Sequence, residues 1–180
     1  MKYFITLTLT FLLGACSSFP KEAVDLSISY NATLDTFRYP FPVKTFEIQT
    51  QRKNLQMRFM DIGKKDLKKI AILLHGKNFS GFYWEKIALE LVSKNYRVVI
   101  PDQIGFGKSS KPDYYQYTFA QLSLNTMSLL DELGIKGKVH VVGHSMGGML
   151  GVHLALNYED RIKQLVLNNP VELEPLFKVL

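Results

Sequence analysis

Gly143-His144-Ser145-Met146-Gly147 is the stretch whose residue types and spacing can do chemistry. A serine hydroxyl is a weak nucleophile until a base within hydrogen-bond reach takes its proton, and a third group usually orients that base. Val139-His140-Val141-Val142 before the serine reads as a strand, and Met149-Leu150-Gly151-Val152-His153-Leu154-Ala155-Leu156 after it changes to an apolar helical stretch. A strand, a tight turn and a helix would lift Ser145 above the end of a sheet. Gly143 and Gly147 then stand where backbone and side chains crowd, so that a Cβ at either place would collide. His144 reads as a shape or pocket residue, because a side chain next to Ser145 does not curl back easily onto its oxygen. Such a serine points to acyl transfer to water, from an ester, thioester, amide or activated carbon–carbon bond.

Two further segments carry punctuation of the same kind, Leu73-Leu74-His75-Gly76-Lys77-Asn78 and Pro101-Asp102-Gln103-Ile104-Gly105-Phe106-Gly107-Lys108-Ser109. The second is not a nucleotide loop. A dinucleotide fingerprint needs a third glycine where Ser110 stands, and a phosphate loop needs a glycine where Asp102 stands. It reads as a tight loop after a strand end, shaping a site floor, with Asp102 accepting the loop's own N–H groups. His75, His140, His144 and His153 show no metal-ligand spacing, so no metal or cofactor is expected.

The three segments, in this order, resemble the α/β-hydrolase family in its serine-nucleophile, esterase or lipase-like form, over roughly residues 43 to 171. The resemblance implies an α/β fold, a mostly parallel sheet with helices on both faces, with Ser145 as nucleophile. It implies an oxyanion site made by the backbone N–H of Met146 and that of Lys77 or Asn78. His75 becomes a brace of that loop, with Gly76, Asp102, Gly105 and Gly107 structural beside it. Ser145 also stands where epoxide hydrolases and haloalkane dehalogenases use an aspartate, which argues against their chemistry. In the family the catalytic acid and then the histidine follow the serine along the chain. Here Glu159, Asp160, Glu172, Glu174 and His153 are what follow, and none fits; His153, eight residues on, lies about 12 Å down the helix. The expectation is therefore a fragment or prematurely terminated product that ends after the sixth strand, lacking lid and last strands. The alternative is a chain completed by a partner or a second copy.

The elements that must position Ser145 can be read in order. Lys2 followed by apolar residues 3 to 13 and small residues resembles an export signal over 1–15. Leu13-Gly14-Ala15-Cys16 resembles a bacterial lipoprotein signal with Cys16 lipidated, Ser17 pointing to the outer membrane of a Gram-negative cell envelope; an ordinary cleaved signal is the competing reading. Residues 16–42, with Pro20, Pro40 and Pro42, read as a tether, and 43–180 as the N-terminal portion of a hydrolase domain. Strands are expected at 43–51, 55–61, 70–74, 97–101, 138–142 and 164–167. Helices are expected at 82–94, at 118–133 with Gly134 closing it, and from Ser145 to about 158. The net charge is +6, and Lys64, Lys65, Lys68 and Lys69 form a cluster that reads as a solvated turn, a nucleic-acid or anionic-lipid contact being the lesser alternative. No basic-aromatic interleaving suggests nucleic acid.

The expected activity of the complete protein is hydrolysis of a small apolar ester-like substrate. Phe79, Phe82, Tyr83, Phe106 and the aromatic stretch 114–117 near the mouth suggest the apolar character, or packing under a lid. An aminopeptidase or carbon–carbon hydrolase on the same fold, and an inactive truncated lipoprotein held to the bilayer by its acyl anchor, are the alternatives.

Overall fold

The computed structural model describes residues 29–171. The signal stretch, Cys16, Glu172 and Glu174 lie outside the described residues. Six strands form one sheet: β1 Val43–Thr50, β2 Lys53–Ile62, β3 Ile70–Leu74, β4 Arg97–Pro101, β5 Val139–His144 and β6 Ile162–Asn168. Their order is β1-β2-β4-β3-β5-β6. The β1–β2 and β2–β4 pairs are antiparallel, whereas β4, β3, β5 and β6 run parallel. Three helices flank it, α1 Glu85–Ser93, α2 Phe119–Glu132 and α3 Met146–Asn157. This is the doubly covered, mostly parallel sheet expected from the alternation of apolar runs and amphipathic stretches.

Alternation along the central strands divides the core between the two faces. Ile72 and Leu74 of β3 and Val99 of β4 pack with Leu122, Leu129, Leu150 and Leu154 from α2 and α3. Leu73, Val98 and Ile100 point the other way, to Trp84 and Ala88 at the start and within α1. Strands buried on both faces read as continuous hydrophobic runs, which is why the 70–74 and 97–101 boundaries coincide with those expected.

Boundaries shift where tertiary contacts override local signals. The β1–β2 turn is Gln51-Arg52, both at positive φ (47° and 61°), rather than the expected Arg52-Lys53-Asn54. Two residues at positive φ give the tight hairpin that matches strand twist, usually with Asn or Gly. Here the Gln51 amide bonds both backbone groups of Gln116 (3.1 and 3.0 Å), which holds a turn that the sequence does not advertise. The helix expected from Phe82 begins as a 3-10 turn, Gly81–Trp84, and becomes α-helical at Glu85. In α2, Thr118 Oγ1 accepts from Gln121 N–H at 3.1 Å, and Gly134 at φ +69° closes the end.

Residues 29–42 lie against the domain as far as they are described. Phe37 makes edge contacts with Tyr30, Tyr39 and Phe82, and Lys108 Nζ donates to the carbonyls of Leu34 and Asp35 (2.5 and 3.2 Å). At the other edge of the sheet, β6 pairs with β5 and, among the described residues, with no further strand. Val166 and Leu167 on β6 and Leu156 on α3 are exposed. No helix among the described residues is long and apolar enough to cross a membrane.

Candidate active site

β5 delivers the chain to Ser145, and the turn there is abrupt. Ser145 has φ 53° and ψ −118°, a conformation that a residue with a Cβ adopts at a cost of roughly 1–3 kcal/mol. The surroundings hold it. Ser145 N–H donates to Asn168 O at 3.0 Å, and its own carbonyl accepts from Gly148 N–H at 2.9 Å. The Ser145 side chain caps none of the free amides of α3, so the hydroxyl is left available at the helix start.

The glycines beside it are there for closeness. A Cβ on Gly143 would run into the Gly147 carbonyl, and one on Gly147 would strike the Leu74 carbonyl. The first turn of α3 therefore rests directly on the end of β3, which brings the loop after β3 to the serine. A Cβ on Gly76 would stand 3.3 Å from Ser145 Cβ and 3.2 Å from His144 Nδ1. Gly76 and Phe79 close a turn (3.3 Å) with Asn78 at φ 64° between them. The N–H of Met146, first residue of α3, is one of the helix's unpaired N-terminal donors and sits at the positive end of its dipole.

His75 is wholly buried and acts as a brace in the geometry seen. Its Nε2 accepts from Gln103 N–H at 3.0 Å, which leaves Nδ1–H to donate to Gly76 O at 2.9 Å. The imidazole thus ties the loop after β3 to the loop after β4. Burial pushes its pKa below the ordinary 6.5, keeping it neutral, against smaller opposite pulls from the Gly76 carbonyl and Asp102. Asp102 is equally occupied. Its carboxylate accepts from Gly81 N–H (2.6 Å), Lys108 N–H (2.7 Å) and Tyr39 Oη–H (2.6 Å). Gly107 is required beside it, since a Cβ there would meet the Asp102 carboxylate, and a Cβ on Gly105 would meet the Tyr117 ring.

Tyr83 is the residue that the sequence reading missed as part of this arrangement. Its hydroxyl accepts from Gly76 N–H at 2.9 Å and lies 3.1 Å from His144 Nδ1. It joins the Gly76 loop to the residue before the serine. Because the Gly76 amide is taken, Lys77 and Asn78 remain the loop's candidate donors. The sequence held only a weak signal, an aromatic in the first turn after His75-Gly76. Other expected mouth aromatics are packing residues instead: Tyr115 is buried, bonding Thr50 and Asn125, and Phe106 lies edge-on to His75. Phe79, Tyr114 and Tyr117 are the exposed ones.

The remaining histidines stand elsewhere. His153 stacks on Phe119 with ring centroids 5.1 Å apart, and His140, near the start of β5, bonds Gln164 at 3.2 Å. Glu159 and Asp160 occupy a 3-10 turn beyond the far end of α3. Among the described residues no group of three histidine, cysteine, aspartate or glutamate side chains gathers to hold a metal.

Known proteins share this fold. A family model described as alpha/beta hydrolase fold matches residues 71–179. A solved structure of a probable hydrolytic enzyme from Pseudomonas aeruginosa PAO1 superposes with a TM-score of 0.77 at 42% identity, covering 83% of this chain and 48% of that one. The cis-3-alkyl-4-alkyloxetan-2-one decarboxylase of Xanthomonas campestris pv. campestris is 33% identical over 138 residues, 73% of this chain and 44% of its own length. The 2-hydroxy-6-oxo-6-(2'-aminophenyl)hexa-2,4-dienoic acid hydrolase of Metapseudomonas resinovorans is 30% identical over 116 residues, 63% of this chain and 38% of its own length. The chain thus spans less than half the length of these relatives.

Proposed function

From the premise that the chain belongs to the alpha/beta hydrolase fold family, we propose that the complete protein is a serine hydrolase of small carboxylic esters. The observation that carries this reading is the elbow itself. Ser145 stands at φ 53° between two glycines that admit no Cβ, with its hydroxyl uncommitted at a helix N-terminus. In the proposed reaction Ser145 Oγ attacks the ester carbonyl carbon while its proton passes to a histidine oriented by an acid, both supplied from outside the described residues. The carbonyl π pair moves onto oxygen, and the N–H groups of Met146 and of Lys77 or Asn78 hold that oxyanion. Each such donor supplies ~10²–10³ in rate. Collapse expels the alcohol with the proton from the imidazolium, and water then releases the acid by the same steps. The Xanthomonas relative is named as a decarboxylase of an oxetan-2-one, a cyclic ester, which supports an ester carbonyl as the group the site receives.

Turnover of short and medium acyl esters by the complete protein tests this, with Ser145→Ala as control. Loss of roughly 10³-fold or more in the variant is expected, and equal rates in both would sink the reading. The 180-residue chain alone is expected to label slowly with a serine-directed fluorophosphonate, for want, among the described residues, of a base bonded to Ser145. We also infer anchoring of the mature chain to the cell envelope through a lipidated Cys16. Support is the residue pattern at 13–16, and the intact mass of the protein from its native cells tests it, an unacylated mass being the adverse result.

A further inference from the structure

Because β4, β3, β5 and β6 run parallel, their N-terminal ends share the side of the sheet opposite Ser145. The segments leading into β3 and β5 and the first residue of β4 converge there on a cleft of about 370 Å3, walled by Lys65, Lys68, Arg97, Lys136 and Lys138 together with Leu67, Ile70 and Ile135. No acidic side chain lines it. Of the nearby carboxylates, exposed Asp66 lies between Lys65 and Lys68 in the chain, lines no part of the cleft and forms no ion pair among the described residues, whereas two others are engaged. Asp61 holds Arg97 at 3.0 Å and Lys65 at 2.5 Å, and Asp131 holds Lys136 at 3.2 Å and Arg161 at 3.0 Å. Lys68 and Lys138 are exposed, and among the described residues neither pairs with a carboxylate. Lys64 and Lys69 extend the exposed positive surface.

We propose that this cleft and the lysines around it form a docking face for the phosphate headgroups of an anionic phospholipid bilayer, which turns Ser145 away from the membrane. Lys68 and Lys138, the lining lysines that pair with no carboxylate among the described residues, are compact point charges on flexible stems suited to a field of phosphates. A stacking platform for nucleic-acid bases is missing from the cleft, and the neighbouring Tyr96 ring already meets Lys69 and His140. If the lipidation reading of Cys16 holds, a bilayer is tethered to the chain. Leu34 and Asp35 leave the domain beside Lys108, on the Ser145 side. The stretch from Cys16 to Ser29, up to ~45 Å long, is what must carry the anchor round to the cleft. The docking face rests on that reading for proximity, and on the charge geometry for its chemistry.

Flotation of the full chain on vesicles of phosphatidylcholine, with and without phosphatidylglycerol, tests the proposal. The ratio of the two affinities cancels any apolar contribution from the N-terminus. Lys68→Gln with Lys138→Gln is expected to lower that ratio about 25-fold, each surface lysine contributing about fivefold, and Lys68→Glu with Lys138→Glu by more. Arg38→Glu with Lys86→Glu makes the same change of net charge elsewhere and is expected to leave the ratio nearly unchanged. Equal losses in the two reversed pairs would reduce the effect to net charge and overturn the docking face. So would a larger loss of retention on duplex DNA than on anionic vesicles. Cys16→Ser separates the two readings: it removes the acyl anchor, and the dependence on Lys68 and Lys138 is expected to persist.

Discussion

Tyr83 joins parts of the site that are distant in the chain. With one hydroxyl it receives the Gly76 amide and reaches His144 Nδ1, so the loop after β3 and the residue before Ser145 keep one spacing. Burial pushes its phenol above the ordinary 10.0, with the Gly76 amide pulling the other way, so the hydroxyl keeps its proton through neutral pH. Tyr83→Phe retains the ring, which packs edge-on against Phe79 and Phe82, and removes only the bridge. The Gly76 N–H then loses its partner, at a cost of about 1–3 kcal/mol. Its amide hydrogen exchange in the 180-residue chain is expected to accelerate at least about tenfold, a readout that needs no turnover. In the complete enzyme kcat on esters is expected to fall about 5- to 30-fold with KM little changed, since a displaced oxyanion loop harms the transition state more than the ground state. An unchanged Gly76 exchange rate would remove Tyr83 from this role.

At the scale of elements, closeness and conformation make separable demands. Gly147 sits where the start of α3 touches the end of β3, and an added methyl meets the Leu74 carbonyl, a backbone atom that cannot rotate away. Gly134 has open space around it but lies at φ +69°. Gly134→Ala is therefore expected to cost about 1–2 kcal/mol, the left-handed penalty alone, and Gly147→Ala several kcal/mol or loss of soluble protein. Urea denaturation of both variants checks the order. The same distinction governs which elements are legible in the sequence. Continuous apolar runs marked β3 and β4, and the change of period at Ser145 marked β5 and α3, because burial on two faces leaves a pattern in composition. Gln51-Arg52 carried no turn chemistry, since its positive φ angles are held by Gln116 on a remote loop. Tyr39 looked like part of a tether, yet its hydroxyl donates into a node shared by Ser80 and Asp102 (2.7 and 2.6 Å). Such a contact spans 63 positions and leaves no local trace. Tyr39→Phe, which removes one donor from the buried Asp102 carboxylate, is expected to lower stability by about 1–3 kcal/mol, measured by the same denaturation.

For the molecule as a whole, two buried groups on opposite sides of the sheet's length set the response to acid. His75, near the serine, is held neutral by burial, its pKa lowered from 6.5. Asp61, toward the other end, would be raised by its burial, but Arg97 and Lys65 outweigh that and lower it from 3.8. The signs agree in direction and differ in range. Between its lowered folded value and 6.5, His75 binds a proton in the unfolded chain and not in the native one, so stability falls as pH drops below about 6.5, by up to ~1.4 kcal/mol per pH unit. Asp61 contributes stability that is fully present above 3.8 and is lost only as pH falls from there through its lower native value. Acid titration of the 180-residue chain is therefore expected to weaken the fold in two ranges, a first loss starting near 6.5 and a second below about 4. His75→Gln retains a buried polar side chain that does not titrate, so it is expected to lower the overall stability while flattening the first range and leaving the second. Asp61→Asn is expected to do the reverse, with a larger loss at neutral pH because the Arg97 guanidinium is left buried without its counter-ion. Urea midpoints measured at intervals from pH 8 to 3 on the three proteins separate the two contributions. A first range that persists unchanged in His75→Gln would show that the brace beside Ser145 does not govern it.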